Sequence, residues 1–270
     1  MPQDAARPEP ERTVPGATTA RFYDKYLGGG HAREVEARAA EQVLAAMPEL
    51  PAVLKANLAF VQRSVHYLAG IGVEGFLDLG AGIPTIDNIH EIVPQQARTV
   101  YVDNDPLVVR ERQLQTNAAT DRAASVHGDL RDPAAIMADP DVVRLLDPSG
   151  PAPIAILMAS VLHFVTDDQQ AADILAAYHA RLPAGSYLVL SHAALKPGAE
   201  ERMNEAIARY SRLVAPMKLR SAEELAALIP GFRPVEPGIV PCTHWRPNFG
   251  DNPGPLADAL PQLGLVAQRV

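Results

Sequence analysis

Apolar residues along the chain follow two rhythms, and the change falls near Gly75. Before it the spacing is helical. Residues 51–69 place Leu54, Leu58, Val61, Val65 and Leu68 at offsets of 4, 7, 11 and 14, one face of a helix. Residues 34–47 are rich in Ala and Glu, with Val35, Ala39 and Val43 at every fourth position. Pro48 and Pro51 separate the two stretches, because proline breaks a helix from within. An all-helical N-terminal extension over 17–70 is predicted. Ahead of it, residues 1–16 carry Pro2, Pro8, Pro10 and Pro15 among charges, with almost nothing to bury, and read as a disordered leader.

After Gly75 short apolar runs alternate with helical stretches. The runs cover 76–79, 99–102, 125–127, 154–159 and 187–191; helix-like segments cover 85–93, 106–117, 133–146 and 171–182. Strands this short, without polar alternation, suit a sheet covered on both faces. The predicted class is α/β, a Rossmann-like doubly wound fold over 71–270. Two more helices are expected at 199–214 and 222–228, the second opened by the capping-box pair Ser221 and Glu224. Weak strand signals lie at 232–235 and 263–267.

Composition narrows the class. A chain of 270 residues, 47% of them hydrophobic, can build a core in one large domain or two small ones. Its net charge of −8 argues against a general binder of nucleic acid or membrane surface, since both are polyanions. Cys242 is the sole cysteine, so neither an internal disulfide nor a thiolate metal site is available. No apolar run reaches the roughly 18–20 residues of a membrane span, and no signal-peptide order opens the chain. The expectation is a soluble, cytoplasmic, mostly single-domain protein.

Candidate chemistry gathers where the strands end. The string FLDLGAGIPT at 76–85 is an apolar strand entering a turn with Gly80 and Gly82, then a helix start. Glycine there permits positive φ and close approach of a ligand, and the helix start offers unpaired N–H groups. An ordinary strand-to-helix turn would look the same. Pro84 and Thr85 stand where a dinucleotide fingerprint has its third glycine, which disfavours a pyrophosphate.

Asp103 lies 23 residues after Gly80, at the end of the second strand, where an acid can accept two hydrogen bonds from a ribose diol. Asp105, before Pro106, reads as a helix cap. Asp129 ends the third strand and can accept from an adenine amino group, with the next backbone N–H meeting a ring nitrogen; a cap near Asp132 and Pro133 is its other reading. Ser160 and His163 follow the fourth strand. His163 is a candidate base or hydrogen-bond donor, or else a packed core histidine. No metal motif is complete: His90-Glu91 does not open an H-E-x-x-H helix, and Cys242 with His244 is too few ligands.

As a set these strings resemble the class I S-adenosylmethionine-dependent methyltransferases. FLDLGAGIPT is similar to their first cofactor motif, YVDNDP at 101–106 to the second and HGDLR at 127–131 to the third. LPAGSYLVLSH at 182–192 is similar to the strand entry that follows. More narrowly, ARFYDKYLGG at 20–29, PTIDNIHE at 84–91 and VLHF at 161–164 resemble the actinobacterial S-adenosyl methyltransferase family, formerly a domain of unknown function. The match runs from about residue 18 to 192, weaker beyond. One departure is that Gly29 is followed by Gly30, His31, Ala32 and Arg33, where the family usually has Lys-Asp-Asn-Phe.

The resemblance implies a seven-stranded, mostly parallel sheet with a reversed strand near the C-terminus. It implies S-adenosyl-L-methionine as cofactor and S-adenosyl-L-homocysteine as product. Gly80 and Gly82 would pack on the methionine part, Asp103 on ribose, and Asp129 and Leu130 on adenine. Tyr23, Gly28, Asp78, Ala81, Pro84, Thr85, Asn104, Ser160 and His163 complete the implied site, with the helical N-terminus as a lid over it.

Methyl transfer from a sulfonium is an in-line substitution, in which the protein supplies proximity and alignment. It supplies a base only if the acceptor must lose a proton. A small-molecule methyltransferase is the favoured reading. An enzyme using the cofactor's aminocarboxypropyl chain, or a regulator that binds it without turnover, is the alternative. The segment 21–31, the loop after the fourth strand and helix 199–214 with Met203, Ile207 and Tyr210 can reach the reactive methyl. Such a setting suits a small, uncharged or cationic acceptor.

Overall fold

The computed structural model describes residues 18–84, 88–195, 200–248 and 261–270; the expected leader and Thr85 lie outside them. The five apolar runs form five parallel strands: β1 (Gly75–Leu79), β2 (Arg98–Asp103), β3 (Ala123–His127), β4 (Ile154–Ala159) and β5 (Tyr187–Ala193). Their order is β3-β2-β1-β4-β5, so the winding reverses between β1 and β4. In doubly wound sheets the ligand crevice opens at that reversal, beyond the carboxyl ends of the strands.

The sheet continues through three antiparallel partners. These are β6 (Phe232–Pro234), β7 (Val240–Pro241) and β8 (Gln262–Arg269), with β8 paired to β5. The expected seven strands are therefore eight. The reason is at the far edge of β8, which two short strands share. Phe232 to Pro234 pair with the end of β8, Val240 and Pro241 with its start, and a turn at Val235 to Gly238 separates them. Proline lacks an N–H, and an edge strand tolerates that.

Both sheet faces are buried, as the unalternating strands require. On one face Leu77, Leu79, Ile156, Met158, Leu188 and Leu190 meet helix α8 (Asp168–Arg181) and α10 (Ala222–Leu228). On the other, Phe76, Ala155, Leu157 and Val189 meet Phe60, Val65 and Leu68 of α3 (Leu50–Gly70), with Trp245 fully enclosed. The buried stripe of α3 is rotated from the predicted one. Leu58 and Val61 are only half-buried, while Asn57, Phe60 and Ser64 are hidden.

A third apolar cluster stands apart from the sheet. It joins Phe22 and Tyr26 of α1 (Thr19–Tyr26), Ala39, Ala40 and Val43 of α2 (Glu34–Ala46), Leu54 of α3, and Val214 just after α9 (Glu200–Leu213). Helix α1 falls within the predicted helical extension but has no periodic signal of its own; it is eight residues long, and Thr18 caps it by accepting from the Arg21 N–H. No single helix among the described residues is long and apolar enough to cross a membrane, and α2 and α3 meet at a 98° bend.

The remaining helices are α4 (Ile89–Ile92), α5 (Pro106–Ala119), α6 (Pro133–Met137) and α7 (Pro140–Leu146). The single helix expected over 133–146 is broken because Asp139 is extended and caps α7 through the Asp141 N–H. The capping box of Ser221 and Glu224 is present. So is the Asp105 cap, whose Oδ1 accepts from the Leu107 N–H at 2.9 Å ahead of Pro106. Asp105→Ala is expected to lower stability by about 1 kcal/mol in denaturant titration, the usual effect of a lost N-cap.

Candidate functional site

Beyond the carboxyl ends of β1 to β4 lies a cavity of about 540 Å³. That volume is in the range of small-molecule sites. Its floor is the turn after β1. The N–H groups of Gly80 and Ala81 both donate to the Val102 carbonyl, at 2.8 and 3.0 Å. Gly80 has φ +73°, and a Cβ there would stand 2.5 Å from Val161 Cγ2, so glycine is required twice over. Gly82 has φ +63° and faces open space, where a Cβ would meet only Ala20 at 4.0 Å.

Asp103 ties this turn to β2. Its Oδ2 accepts from the Gly82 N–H at 2.8 Å and its Oδ1 from the Asp105 N–H at 2.9 Å. Burial pushes its carboxyl above the usual range, while those two N–H groups pull the other way. Each oxygen keeps a second lone pair. Asp103 therefore lines the cavity as a held acceptor with capacity left for a ligand.

Beneath the turn sits Arg112 of α5, a buried cation that sequence reading overlooked. Its guanidinium donates to the carbonyls of Ala81 and Gly82 and to Asn88 Oδ1, and stacks 4.4 Å from the Tyr101 ring centroid. Asp78, half-buried on β1, has its carboxyl pushed up to about 6 by burial; the Arg112 charge opposes the shift and Asp103 adds to it.

At the end of β3, Asp129 is not a helix cap. Asp132 fills that place by accepting from the Ala135 N–H at 3.0 Å. The Asp129 carboxylate accepts instead from the Arg131 backbone and from its guanidinium. Burial works to raise the Asp129 pKa, but the Arg131 hydrogen bonds prevail and hold it below the usual value. Leu130 and Asn104 line the same end of the cavity.

Opposite, the loop after β4 supplies Ser160 and His163. Ser160 has φ +55°, its N–H donates to Ser191 Oγ at 2.9 Å, and its Oγ accepts from Gln262 Nε2 at 2.8 Å. His163 is buried, lines the cavity, and leaves Nδ1 without a hydrogen-bond partner among the described residues. Its ring meets that of His192 edge-on at 5.6 Å. Burial, reinforced by His192 and the Arg220 charge, holds its pKa well below the ordinary histidine value, so the ring is neutral.

Tyr23 enters from α1. Its hydroxyl accepts from Asn57 Nδ2 at 3.0 Å, and Asn57 Oδ1 in turn accepts from Ser191 Oγ at 2.5 Å. This chain of bonds joins α1, α3, β5 and the Ser160 loop, and Asn57 and Ser191 were not anticipated in it. Burial pushes the Tyr23 phenol up to about 12.

Not every expected residue reaches the cavity. Tyr23, Asp78, Gly80, Ala81, Gly82, Asp103, Asn104, Asp129, Leu130, Ser160 and His163 line it; Gly28 and Pro84 are not among its lining residues. Gly28 adopts φ +90° in the turn that ends α1. Its neighbour Gly29 is needed because a Cβ would fall 2.0 Å from Asp24 Oδ1. The loop folds back so that the His31 N–H donates to Asp24 Oδ2 at 3.0 Å, with the His31 ring 3.2 Å from Oδ1. The glycine pair thus shapes a loop around Asp24. Among the described residues no group of three or more His, Cys, Asp or Glu is placed to hold a metal ion.

Comparison with known proteins follows the same lines. Residues 7–269 match the sequence profile of the S-adenosyl methyltransferase family. A DUF574 family protein from Streptomyces avermitilis is 33% identical and superposes with a TM-score of 0.87, over 94% of this chain and 98% of that one. A candidate methyltransferase from Thermobifida fusca is 30% identical, with a TM-score of 0.86 over 94% and 95% of the two chains. Magnesium protoporphyrin IX methyltransferase from Synechocystis, at 13% identity and a TM-score of 0.50 over 92% and 93%, shares the fold alone. No curated protein matches the sequence.

Proposed function

The chain belongs to the S-adenosyl methyltransferase family, and from that premise we propose that it methylates a small molecule held in the cavity between the strand ends and the helical roof. It is an S-adenosylmethionine-dependent methyltransferase of the class I fold. The observation that carries the proposed acceptor class is the cavity itself. Acids from three strand ends line one side, and Tyr26, Val43, Met47, Leu54, Met203 and Tyr210 line the other.

The donor set suits the cofactor. In our reading the Gly80–Gly82 turn packs on its methionine part, with Asp78 nearby for the ammonium group. Asp103 accepts from the ribose hydroxyls through its remaining lone pairs. Asp129 and Leu130 hold adenine, and Asn104 flanks it. When bound, the cofactor supplies a methyl group on an electron-poor sulfonium. The protein's own work is positioning: α1, α2 and α9 exclude water from above, and the Tyr23–Asn57–Ser191–Ser160 bonds hold the opposing wall. The separate apolar cluster of α1, α2 and α9 supports its role as a lid.

His163 is our candidate for the group that receives the acceptor's proton. Burial holds its pKa well below the ordinary histidine value, so it is neutral at neutral and alkaline pH and its own ionisation adds no limb to the rate profile there. His163→Ala is expected to slow turnover by more than about threefold across that whole range. A smaller loss would remove it as a base and leave positioning alone.

The reaction type is tested by incubating the protein with S-adenosylmethionine and a small-molecule extract, and analysing what is released. S-adenosylhomocysteine together with a product heavier by one methylene unit is expected. Methylthioadenosine would indicate transfer of the aminocarboxypropyl chain instead.

A further inference from the structure

The roof side of the cavity differs in kind from the strand-end side. Tyr26, Leu54, Phe164, Met203, Tyr210 and Met217 dominate it. Among the described residues the charged side chains lining the cavity are Asp24, Asp78, Asp103, Arg112, Asp129 and Arg131. Five of these belong to the strand ends or the turn beneath them. The sixth, Asp24, is turned to the His31 N–H and ring. A charged molecule under the roof would lose its hydration, and among the described residues no unengaged opposite charge stands on the roof side to receive it.

The roof also has a shape preference. The rings of Phe164 and Tyr210 are stacked, with centroids 6.4 Å apart and planes 21° from parallel, and both residues line the cavity. Burial raises the phenol pKa of Tyr26 and Tyr210, so both stay neutral. Flat rings pack favourably against such aromatic side chains, and the methionines adapt to irregular outlines. Aromatic rings can also attract a cation, but the cofactor's sulfonium would be a like charge close by.

We propose that the methyl acceptor is an uncharged, flat, largely apolar molecule that lies against Phe164 and Tyr210, with its polar group toward His163. This rests on reading the cavity as the methyl-transfer site, and the two are tested separately. The protein is first titrated with S-adenosylhomocysteine by calorimetry. The loaded protein is then titrated with three probes on one ring frame: naphthol, naphthoate and naphthylmethylammonium. Naphthol is expected to bind at least about tenfold more tightly than either charged probe. Tyr210→Ala is expected to weaken naphthol by about fivefold or more while S-adenosylhomocysteine binds as before.

Equal or tighter binding of a charged probe, or no detectable naphthol binding, overturns the proposal while the cofactor site stands. If S-adenosylhomocysteine fails to bind, the cofactor reading falls, and the same ranking measured without it still decides the acceptor class. Should Tyr210→Ala fail to fold, the ranking on the unaltered protein decides alone.

Discussion

Asp103→Ala is expected to weaken S-adenosylmethionine binding by about tenfold to hundredfold, which corresponds to about 1.5–3 kcal/mol for hydrogen bonds to a charged acceptor. The carboxylate is held from behind by the N–H groups of Gly82 and Asp105, so its position is set before any ligand arrives. Preorganisation of this kind spares the ligand the cost of ordering its partner. Removing the side chain withdraws the acceptor and also frees the Gly82 N–H, so the floor of the cavity loosens as well. Asp103→Asn keeps one oxygen and should fall between the two. Calorimetry gives the affinity, and circular dichroism checks that the fold persists. Unchanged affinity in both variants would put the ribose elsewhere.

The second large effect belongs to Arg112. Arg112→Met removes the donors to Ala81, Gly82 and Asn88 and leaves Asp78 without the cation that opposes its burial. Breaking such a buried charge arrangement costs about 3–5 kcal/mol. For a chain of this size the melting temperature should fall by about 6–20 °C.

The pH dependence of that loss has a definite sign. Asp78 has a carboxyl pKa near 6 when folded, raised above its ordinary 3.8. The folded state therefore holds that proton more tightly, and the benefit fades as pH rises through about 6. Without Arg112 the Asp78 pKa climbs further, so the variant should lose most above that pH and least below it. Asp78→Asn in the same chain should restore part of the stability, since neighbours in one network couple by about 0.5–3 kcal/mol. A melting temperature within about 2 °C of the parent would show that the guanidinium does not hold the turn.

The strand ends were legible because their signals are local. Asp103 and Asp129 end apolar runs, and Asp105 precedes a proline that can only begin a helix. Arg112 was harder, since a charge on a helix ordinarily faces water. A signal existed: it lies four residues after Val108 and four before Thr116, both buried on one face of α5. Asn57 is similar, set among Val53, Leu54, Phe60 and Ser64 on the hidden face of α3. A stripe drawn through apolar residues alone passes over such positions and comes out rotated. The Asp139-Pro140 break was visible as a cap followed by a proline, but the apolar spacing on either side masked it. Gly28 lies outside the cavity lining for a different reason. Its motif marks a loop whose close contact is internal, Gly29 against Asp24, and a sequence does not say whether a glycine makes room for a ligand or for its own chain.

The central claim is that the strand-end acids hold S-adenosylmethionine with its methyl directed toward the apolar roof. A crystal structure of the protein with S-adenosylhomocysteine tests it most directly. The account predicts the ribose hydroxyls on Asp103, adenine beside Asp129 and Leu130, the homocysteine along Gly80 to Gly82, and the sulfur open toward Phe164 and Tyr210. A ligand bound with its ribose away from Asp103, or with its sulfur turned from the roof, would contradict it.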